Sequence, residues 1–402
     1  MNEPRTTLLI TLTGRDRPGV TSRLFSVLAR FPLSVVDIEQ VVIRGRLVLG
    51  VLTSCAELPD LTAIHRAVTS MAAGLGLDAE ITAGSAEPGS GGAAPEQLHV
   101  TVLGNPLRPD AIAAVAGRIA ASGANIDRIT RLDSDPVTCI ELDVSGSEPG
   151  PLRAALAQVA ADSTVDVAVQ RGGLHRRAMR LIVMDVDSTL IQEEVIDLLA
   201  ARAGCADEVA KITESAMRGE LDFAGSLRER AALLAGLDAA VLDAVREGLR
   251  LTPGARTLIR TLQRLGYKCG IVSGGFTAVI QPLAADLGID YVAANTLEVA
   301  DGKLTGRVLD PIIDREGKTE ALRTFARAAG VPLSQTVAVG DGANDLGMIA
   351  AAGLGVAFNA KPMVRDAADT ALSVPYLDTV LYLLGISRDA VAAAENDTSP
   401  GL

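Results

Sequence analysis

Apolar positions in the first 171 residues alternate in short runs, switch to helical spacing, and do so twice in the same order. Leu8, Ile10 and Leu12 share one face of a predicted strand, and Val20 to Ala29 carries apolar residues at helical spacing. Ser34 to Ile38 and Leu47 to Leu52 read as strands, Leu61 to Ala73 as a helix, and Leu77 to Thr82 as extended chain. Period two marks a half-buried strand, and a period near 3.6 an amphipathic helix. The βαββαβ order returns in Leu98 to Leu103, Pro109 to Ser122, Ile126 to Thr130, Thr138 to Val144, Pro151 to Ala161 and Val165 to Gln170. Gly14 and Gly104 are 90 positions apart, as are Asp37 and Asp127. That constant offset points to an internal duplication. The units are predicted over 1–83 and 97–171, joined by a Gly/Ser/Pro-rich linker at 84–96.

Arg171, Gly172, Gly173, His175, Arg176, Arg177 and Arg180 follow, and residues 172–180 read as a solvated basic hinge. The pattern then changes to longer αβ alternation across 181–394. Leu181 to Met184, Cys269 to Val272, Tyr291 to Ala294, Thr336 to Val339 and Leu354 to Phe358 are short apolar runs. Buried strands of a parallel, Rossmann-like α/β sheet have this character. About Glu193 to Arg250 is a helical insertion broken at Gly204, Gly219 and Gly236, the size of a cap over the sheet edge. Residues 395–402 read as a tail.

Composition narrows the functional classes. Aromatics make up 2% of the 402 residues and tryptophan is absent, so the cores rest on Ala, Val, Leu and Ile. A net charge of -12 argues against a nucleic-acid or anionic-membrane surface. Cys55, Cys139, Cys205 and Cys269 are widely spaced and read as reduced thiols. The first residues lack signal-peptide order, and no apolar stretch approaches spanning length. A cytoplasmic protein is expected.

Three strands end in polar signals, where ligands sit in open α/β sheets. Met184 is followed by Asp185 and Asp187. Two carboxylates so close beside an apolar strand need a cation or substrate to offset their repulsion, and suit nucleophilic and acid–base chemistry. Val272 is followed by Ser273-Gly274-Gly275, whose hydroxyl and N–H groups suit an oxyanion. Val339 is followed by Gly340-Asp341-Gly342-Ala343-Asn344-Asp345. Its acids would repel a dinucleotide pyrophosphate but suit a cation, and oxygen donors favour Mg²⁺ over zinc. Gly317-Lys318-Thr319 is not a phosphate loop, since Ile312 stands where the earlier glycine belongs. His65, His99 and His175 all precede residue 181, so proton transfer beyond it falls to carboxylates, lysine or water.

In this order, the Asp-x-Asp-x-Thr signature, Ser-Gly-Gly, Lys318 and Gly-Asp-x-x-Asn-Asp resemble the haloacid-dehalogenase superfamily. Asp-Val-Asp-Ser-Thr, Glu193-Glu194 and Ser-Gly-Gly-Phe resemble its phosphoserine phosphatase members, over roughly Arg180 to Leu384. The duplicated front, with Gly14-Arg15-Asp16-Arg17-Pro18-Gly19, resembles tandem ACT modules, which sense amino acids.

The resemblance implies phosphate-monoester hydrolysis of a small phospho-amino acid, with Mg²⁺ as cofactor. Asp185 would be the nucleophile and Asp187 the acid and base. Asp185, Asp341 and the Asp187 carbonyl would bind the metal, with Asp345 behind them. Ser273, Gly274, Lys318 and Asn344 would take the phosphoryl group, and Glu194 and Arg230 the ammonium and carboxylate. Met217 and Phe223 would close over the substrate. Serine feedback through Gly19, Asn125 and Asp127, and a homodimer or higher homo-oligomer, are implied for the ACT part. A phosphotransferase acting on another acceptor and a non-catalytic sensor are the alternative readings.

Overall fold

The computed structural model describes residues 6–55, 60–85, 97–173, 176, 178–218 and 220–396. Two compact units result, residues 1–93 and 94–402. Most of the linker at 84–96 and most of the tail at 395–402 lie outside the described residues.

In the first unit, strands β1 (Thr6–Arg15), β2 (Ser34–Ile43), β3 (Arg46–Cys55) and β4 (Leu77–Ser85) form an antiparallel sheet ordered β2-β3-β1-β4. Alternation places Leu8, Ile10 and Leu12 on one face, at 0% exposure. They pack with Val20, Leu24, Ile64 and Val68 of helices Val20–Leu28 and Leu61–Leu75. Edge strand β2 is longer than predicted and exposed along its whole length, Val35, Val36, Ile38, Val41, Val42 and Ile43 included.

The second unit begins with the repeat, β5 (Leu98–Gly104), β6 (Asn125–Asp133), β7 (Thr138–Ser145) and β8 (Asp166–Arg171), ordered β6-β7-β5-β8. Helices Pro109–Ala121 and Pro149–Ser163 cover one face through Val100, Val102, Val115 and Leu156. The other face is covered by the domain that follows. Leu103, Leu132, Val137, Cys139 and Ala168 belong to the same hydrophobic cluster as Leu377, Tyr382 and Leu383. Here the solvated-hinge expectation fails for Arg176, which is buried at 7% exposure. It donates from Nε to the Leu383 carbonyl at 2.7 Å and from Nη2 to the Tyr382 carbonyl at 2.6 Å, and is ion-paired with Glu141. The Tyr382 hydroxyl donates to Asp133, and Ser373 N–H to Asp166 at 2.6 Å. A basic run read from sequence gives no sign of such partners, because they come from 35 residues upstream and about 200 downstream.

A seven-stranded sheet follows: β9 (Leu181–Asp185), β10 (Lys268–Phe276), β11 (Tyr291–Ala300), β12 (Lys303–Leu309), β13 (Thr336–Gly340), β14 (Leu354–Phe358) and β15 (Thr370–Leu372), ordered β12-β11-β10-β9-β13-β14-β15. Only β12 runs antiparallel. This is the expected mostly parallel α/β sheet, with two further strands, β12 and β15, added at its edges. Strand β9, central and buried throughout, places the first acidic motif in the middle of the sheet's carboxyl edge. The insertion forms helices Val195–Ala203, Ala206–Met217, Phe223–Ala232 and Val241–Glu247. Gly204 and Gly236 are breaks, and Gly219 lies outside the described residues.

Candidate active site

Strand β9 ends at Asp185, and the chain enters a tight turn over Val186–Leu190 with Ser188 at φ 57°. The turn places Asp185 and Asp187 toward a common site. Val186 N–H donates to Asp185 Oδ1 at 2.7 Å, and Lys318 Nζ lies 2.7 Å from the same oxygen. Lys318 sits in the first turn of helix Arg315–Ala329, whose start is capped by Asp314 accepting from Gly317 N–H at 2.8 Å. Its ammonium also donates to Asp345 Oδ1 at 2.7 Å.

Asp345 is fully buried beneath the turn that follows β13, and its Oδ2 accepts from Gly342 N–H at 3.0 Å. Gly340 makes that approach possible: a Cβ there would lie 2.5 Å from the Asp345 carboxyl carbon. Asp341 accepts from Thr189 Oγ1 at 3.0 Å. Asn344 is half-buried and folds over Gly342.

Carboxylate oxygens of Asp185, Asp341 and Asp345 lie within 4.8 Å of one another. Lys318 is a cation that contacts two of them, Asp185 and Asp345. Burial works against its charge, but Asp185 and Asp345 overcome this and hold its pKa above the usual lysine range. Burial, then the Asp345 charge, push Asp185 well above the ordinary carboxylate range despite Lys318. Asp341 is raised by burial and by Asp345. One ammonium for three clustered acids leaves an excess of negative charge. A hard divalent cation fits both this deficit and the all-oxygen donor set.

Ser273 and Gly275 occupy the irregular end of β10, between Val272 and Phe276. Ser273 Oγ donates to Asp187 Oδ2 at 2.7 Å and accepts from Gly275 N–H at 2.7 Å. The other Asp187 oxygen accepts from Val195 N–H at 2.8 Å, which ties the start of the cap to the site. Burial raises the pKa of Asp187, with these hydrogen bonds opposing.

On the cap side, Glu194 precedes helix Val195–Ala203 and accepts from Ser188 Oγ at 2.7 Å. The residue stands at the rim and keeps exposed surface. Its carboxylate faces inward, where desolvation and then Asp187 push its pKa to about 7. Half-buried Arg230 donates from Nε to the Ser226 carbonyl at 3.3 Å. Burial lowers its pKa, opposed by Asp197, Glu194 and Asp187. A carboxylate and a guanidinium of the cap are therefore coupled electrostatically to Asp187 at the sheet edge. Phe223 lies over Gly274, where a Cβ would be 2.9 Å from Cζ. Met217 ends its helix, and its side chain lies outside the described residues.

Sequence reasoning missed Asn295. It is fully buried on β11, donates to the Gly274 carbonyl at 2.8 Å and accepts from Ile313 N–H at 2.7 Å. It thereby joins the Ser273–Gly275 turn to the segment that leads into the Lys318 helix. Its sequence signal, a lone polar residue ending an apolar run, is weak.

The effector residues named from sequence fall in different units. Gly19, at φ 90°, lines a cavity of about 430 Å³ with Asp16, Arg17, Thr21, Ser22 and Gln40. Asn125 and Asp127 are both exposed on the second repeat, and Asn125 Nδ2 donates to Asp127 Oδ1 at 2.8 Å.

Residues 182–350 match the haloacid dehalogenase-like hydrolase family, and residues 6–82 and 98–170 each match an ACT domain family. The chain is 61% identical over 389 residues to a phosphoserine phosphatase of Streptomyces coelicolor, covering 97% of this chain and 94% of that one. It is 56% identical over 394 residues to a phosphoserine phosphatase of Mycobacterium tuberculosis, covering 97% and 96%. Among solved structures, a probable phosphoserine phosphatase from Vibrio cholerae superposes with a TM-score of 0.57 at 36% identity, over 75% of this chain and 90% of that one. A haloacid dehalogenase family hydrolase from Salmonella enterica gives a TM-score of 0.63 at 27% identity, over 71% and 98%. An intact acidic centre, a covering cap and these likenesses over nearly the whole length lead to one assignment: the chain belongs to the phosphoserine phosphatase family of haloacid dehalogenase-like hydrolases, with two ACT domains ahead of its catalytic domain.

Proposed function

We propose that this enzyme hydrolyses O-phospho-L-serine to L-serine and phosphate, the last step of serine biosynthesis, through a phosphorylated Asp185. The observation that carries the reading is Asp185 at the centre of the sheet edge, with Lys318 on one oxygen and Asp187 one turn away. Val186 N–H and Lys318 both address Oδ1, so Oδ2 attacks phosphorus. As that bond forms, the bond from phosphorus to the serine oxygen breaks, and Asp187 gives the oxygen its proton. Its raised pKa favours a carboxyl able to donate. Asp187 then takes a proton from the water that attacks the phosphoryl group, and the bond from phosphorus to Asp185 breaks. Phosphate leaves and the starting state returns.

Lys318, Ser273, the Gly274 N–H and Asn344 neutralise and orient the phosphoryl oxygens, because phosphoryl transfer depends on positioning and charge. Asp185, Asp341 and the Asp187 carbonyl would hold Mg²⁺, with Asp345 fixing Lys318 behind them. When bound, Mg²⁺ supplies the positive charge that the acids lack and that the phosphoryl oxygens require. Glu194 receives the substrate ammonium and Arg230 its carboxylate, while Phe223 and Met217 close the cap.

The ACT domains would carry serine feedback. The cavity at Gly19 offers Asp16 and Arg17, charges of both signs, for a zwitterion. The apolar exposed edge β2 supports a homodimer or higher homo-oligomer through this domain. Free cysteines, and no described helix long and apolar enough to cross a membrane, fit a cytoplasmic location.

The test is phosphate release from phosphoserine, phosphothreonine and a sugar phosphate, with Mg²⁺ and with chelator. Phosphoserine should be preferred and chelator should stop turnover. Product analysis with homoserine present separates hydrolysis from transfer to another acceptor. Asp185→Asn should lose about 10⁴-fold or more in kcat. Normal turnover by that variant would remove the covalent mechanism.

A further inference from the structure

We propose that Glu193 is a positioning residue for recognition of the substrate ammonium, acting through a clasp on Arg250 at the base of the cap. The inference rests on the reading of Glu194 as the ammonium's partner.

The cap is joined to the sheet domain by two chain crossings, outbound after Leu190 and returning before Thr252. They pair as a short antiparallel ribbon with a bridge between Ile191 and Leu251. Gln192 N–H donates to the Arg250 carbonyl at 3.0 Å and Thr252 N–H to the Leu190 carbonyl at 2.9 Å. Gln192 Nε2 donates to the Leu251 carbonyl at 2.9 Å, and Thr252 Oγ1 to the Thr189 carbonyl at 2.7 Å. These bonds hold the ribbon without Glu193.

Glu193 adds a lock at the cap end. Its Oε2 accepts from Arg250 N–H at 3.0 Å and its Oε1 from Arg250 Nε at 2.6 Å. Both carboxylate oxygens are thus engaged by one residue of the opposite crossing, a charge-assisted arrangement with a defined direction. The Glu193 carbonyl accepts from Ser188 N–H at 3.3 Å. One residue therefore grips the returning strand with its side chain and the catalytic turn with its backbone.

The next two residues reach the site. Glu194 accepts from Ser188 Oγ, and Val195 N–H donates to Asp187. With Glu193 fixed on both sides, the torsions at Glu194 have little freedom, and its carboxylate is presented in one place. The phosphoryl machinery of Asp185, Ser273, Lys318 and Asp341 stands on the sheet domain and does not depend on the clasp. Loss of the clasp should weaken ammonium recognition and leave phosphoryl transfer intact. A general loss of cap structure would harm both.

The experiment compares the full chain with Glu193→Ala, Glu193→Gln and Arg250→Met on two substrates, phosphoserine and p-nitrophenyl phosphate, which has no ammonium. For Glu193→Ala the KM for phosphoserine should rise ~10-fold while kcat stays within ~3-fold. The KM for p-nitrophenyl phosphate should not move. Glu193→Gln, which keeps an acceptor for Arg250 N–H, should show a smaller rise. An unchanged KM for phosphoserine, or equal losses on both substrates, would overturn the proposal. If Glu193→Ala fails to fold, Arg250→Met tests the same clasp from its solvent-exposed partner. Glu194→Gln run in parallel separates the two readings. If it discriminates between the substrates and the Glu193 variants do not, the clasp alone falls; if it does not discriminate, the ammonium role of Glu194 falls with it.

Discussion

A carboxylate proposed to bind an ammonium works only when ionised, and Glu194, to which that role is proposed, is pushed to about 7 by loss of water and by Asp187. Below that pH it is neutral in the free enzyme and the ammonium loses its counter-charge. The value of kcat/KM for phosphoserine should therefore rise with pH up to about 7, and Glu194→Gln should flatten that limb; a limb left in place by the variant would assign it to another group. Asp341 shows the stability side of the same electrostatics. Burial and Asp345 raise its pKa, so the folded protein holds its proton more tightly than the unfolded chain. Its contribution is favourable at acid pH and is lost as pH climbs from the ordinary carboxylate range through the raised value. In metal-free protein at neutral pH, Asp341→Asn should raise Tm by ~2–4 °C, and with Mg²⁺ present it should abolish turnover. Mg²⁺ should stabilise the parent chain and not this variant. Calorimetry with and without Mg²⁺ checks both. Asp341 was legible from sequence because acids of this type and spacing at a strand end are themselves the signal, whereas Glu194, at a helix start, was singled out only through the family resemblance. Asn295 was not legible, because one amide in an apolar run is indistinguishable from a strand end until the two backbone groups it bridges are seen.

Elements explain how groups from distant segments converge. Strands β9, β10 and β13 are adjacent and parallel, so their carboxyl ends open on one edge, where Asp185 ends β9, Ser273 lies in the irregular end of β10 and Asp341 follows β13. That convergence was readable, since buried runs alternating with helices dictate a parallel sheet. Strands β12 and β15 were not readable. The first is Lys303–Leu309, with a glycine and two charges, and the second is three residues long. Neither has the apolar continuity that marks a central strand, and both lie at sheet edges. The cap meets the sheet at a contact with almost no slack: a methyl group on Gly274 would stand 2.9 Å from Phe223 Cζ. Gly274→Ala should push Phe223 and its helix away from the oxyanion turn and lower kcat/KM by ~10–100-fold, as small misplacements do in positioned sites. Phe223→Leu, which shortens the opposing side chain, should recover part of that loss when combined with it. A double-mutant cycle in kcat/KM measures the coupling, and strict additivity would show that the two residues do not meet during turnover.

Across the whole molecule, duplication in sequence did not produce equivalence in structure. Both repeats were legible as βαββαβ units, because alternation and helical spacing are local. What each repeat packs against was not, because that depends on partners far along the chain. The first repeat closes its own core, and Leu9 and Val48 remain exposed on its strands. The second repeat gives Leu103, Leu132, Val137, Cys139 and Ala168 to the core of the catalytic domain. Arg176, Glu141, Asp133 and Tyr382 add buried polar contacts to that junction. A buried Leu or Val side chain contributes about 1.5–3 kcal/mol, so Leu103, Leu132 and Val137 alone give the junction a large share of the stability of a domain. The two repeats should therefore respond differently to deletion. A chain of residues 94–402 should fold and hydrolyse phosphoserine at close to the parent rate, and should lose any serine inhibition that depends on the Gly19 cavity. A chain of residues 178–402 should precipitate or melt ~10 °C or more below it, because its uncovered apolar face then meets water and Tyr382 and the Leu383 carbonyl lose Asp133 and Arg176. Circular dichroism melts and phosphate release on the two truncations decide the matter. Equal stability of the shorter chain would mean that the second repeat is a passenger on the catalytic domain, whereas the shared core makes it a structural part of the enzyme.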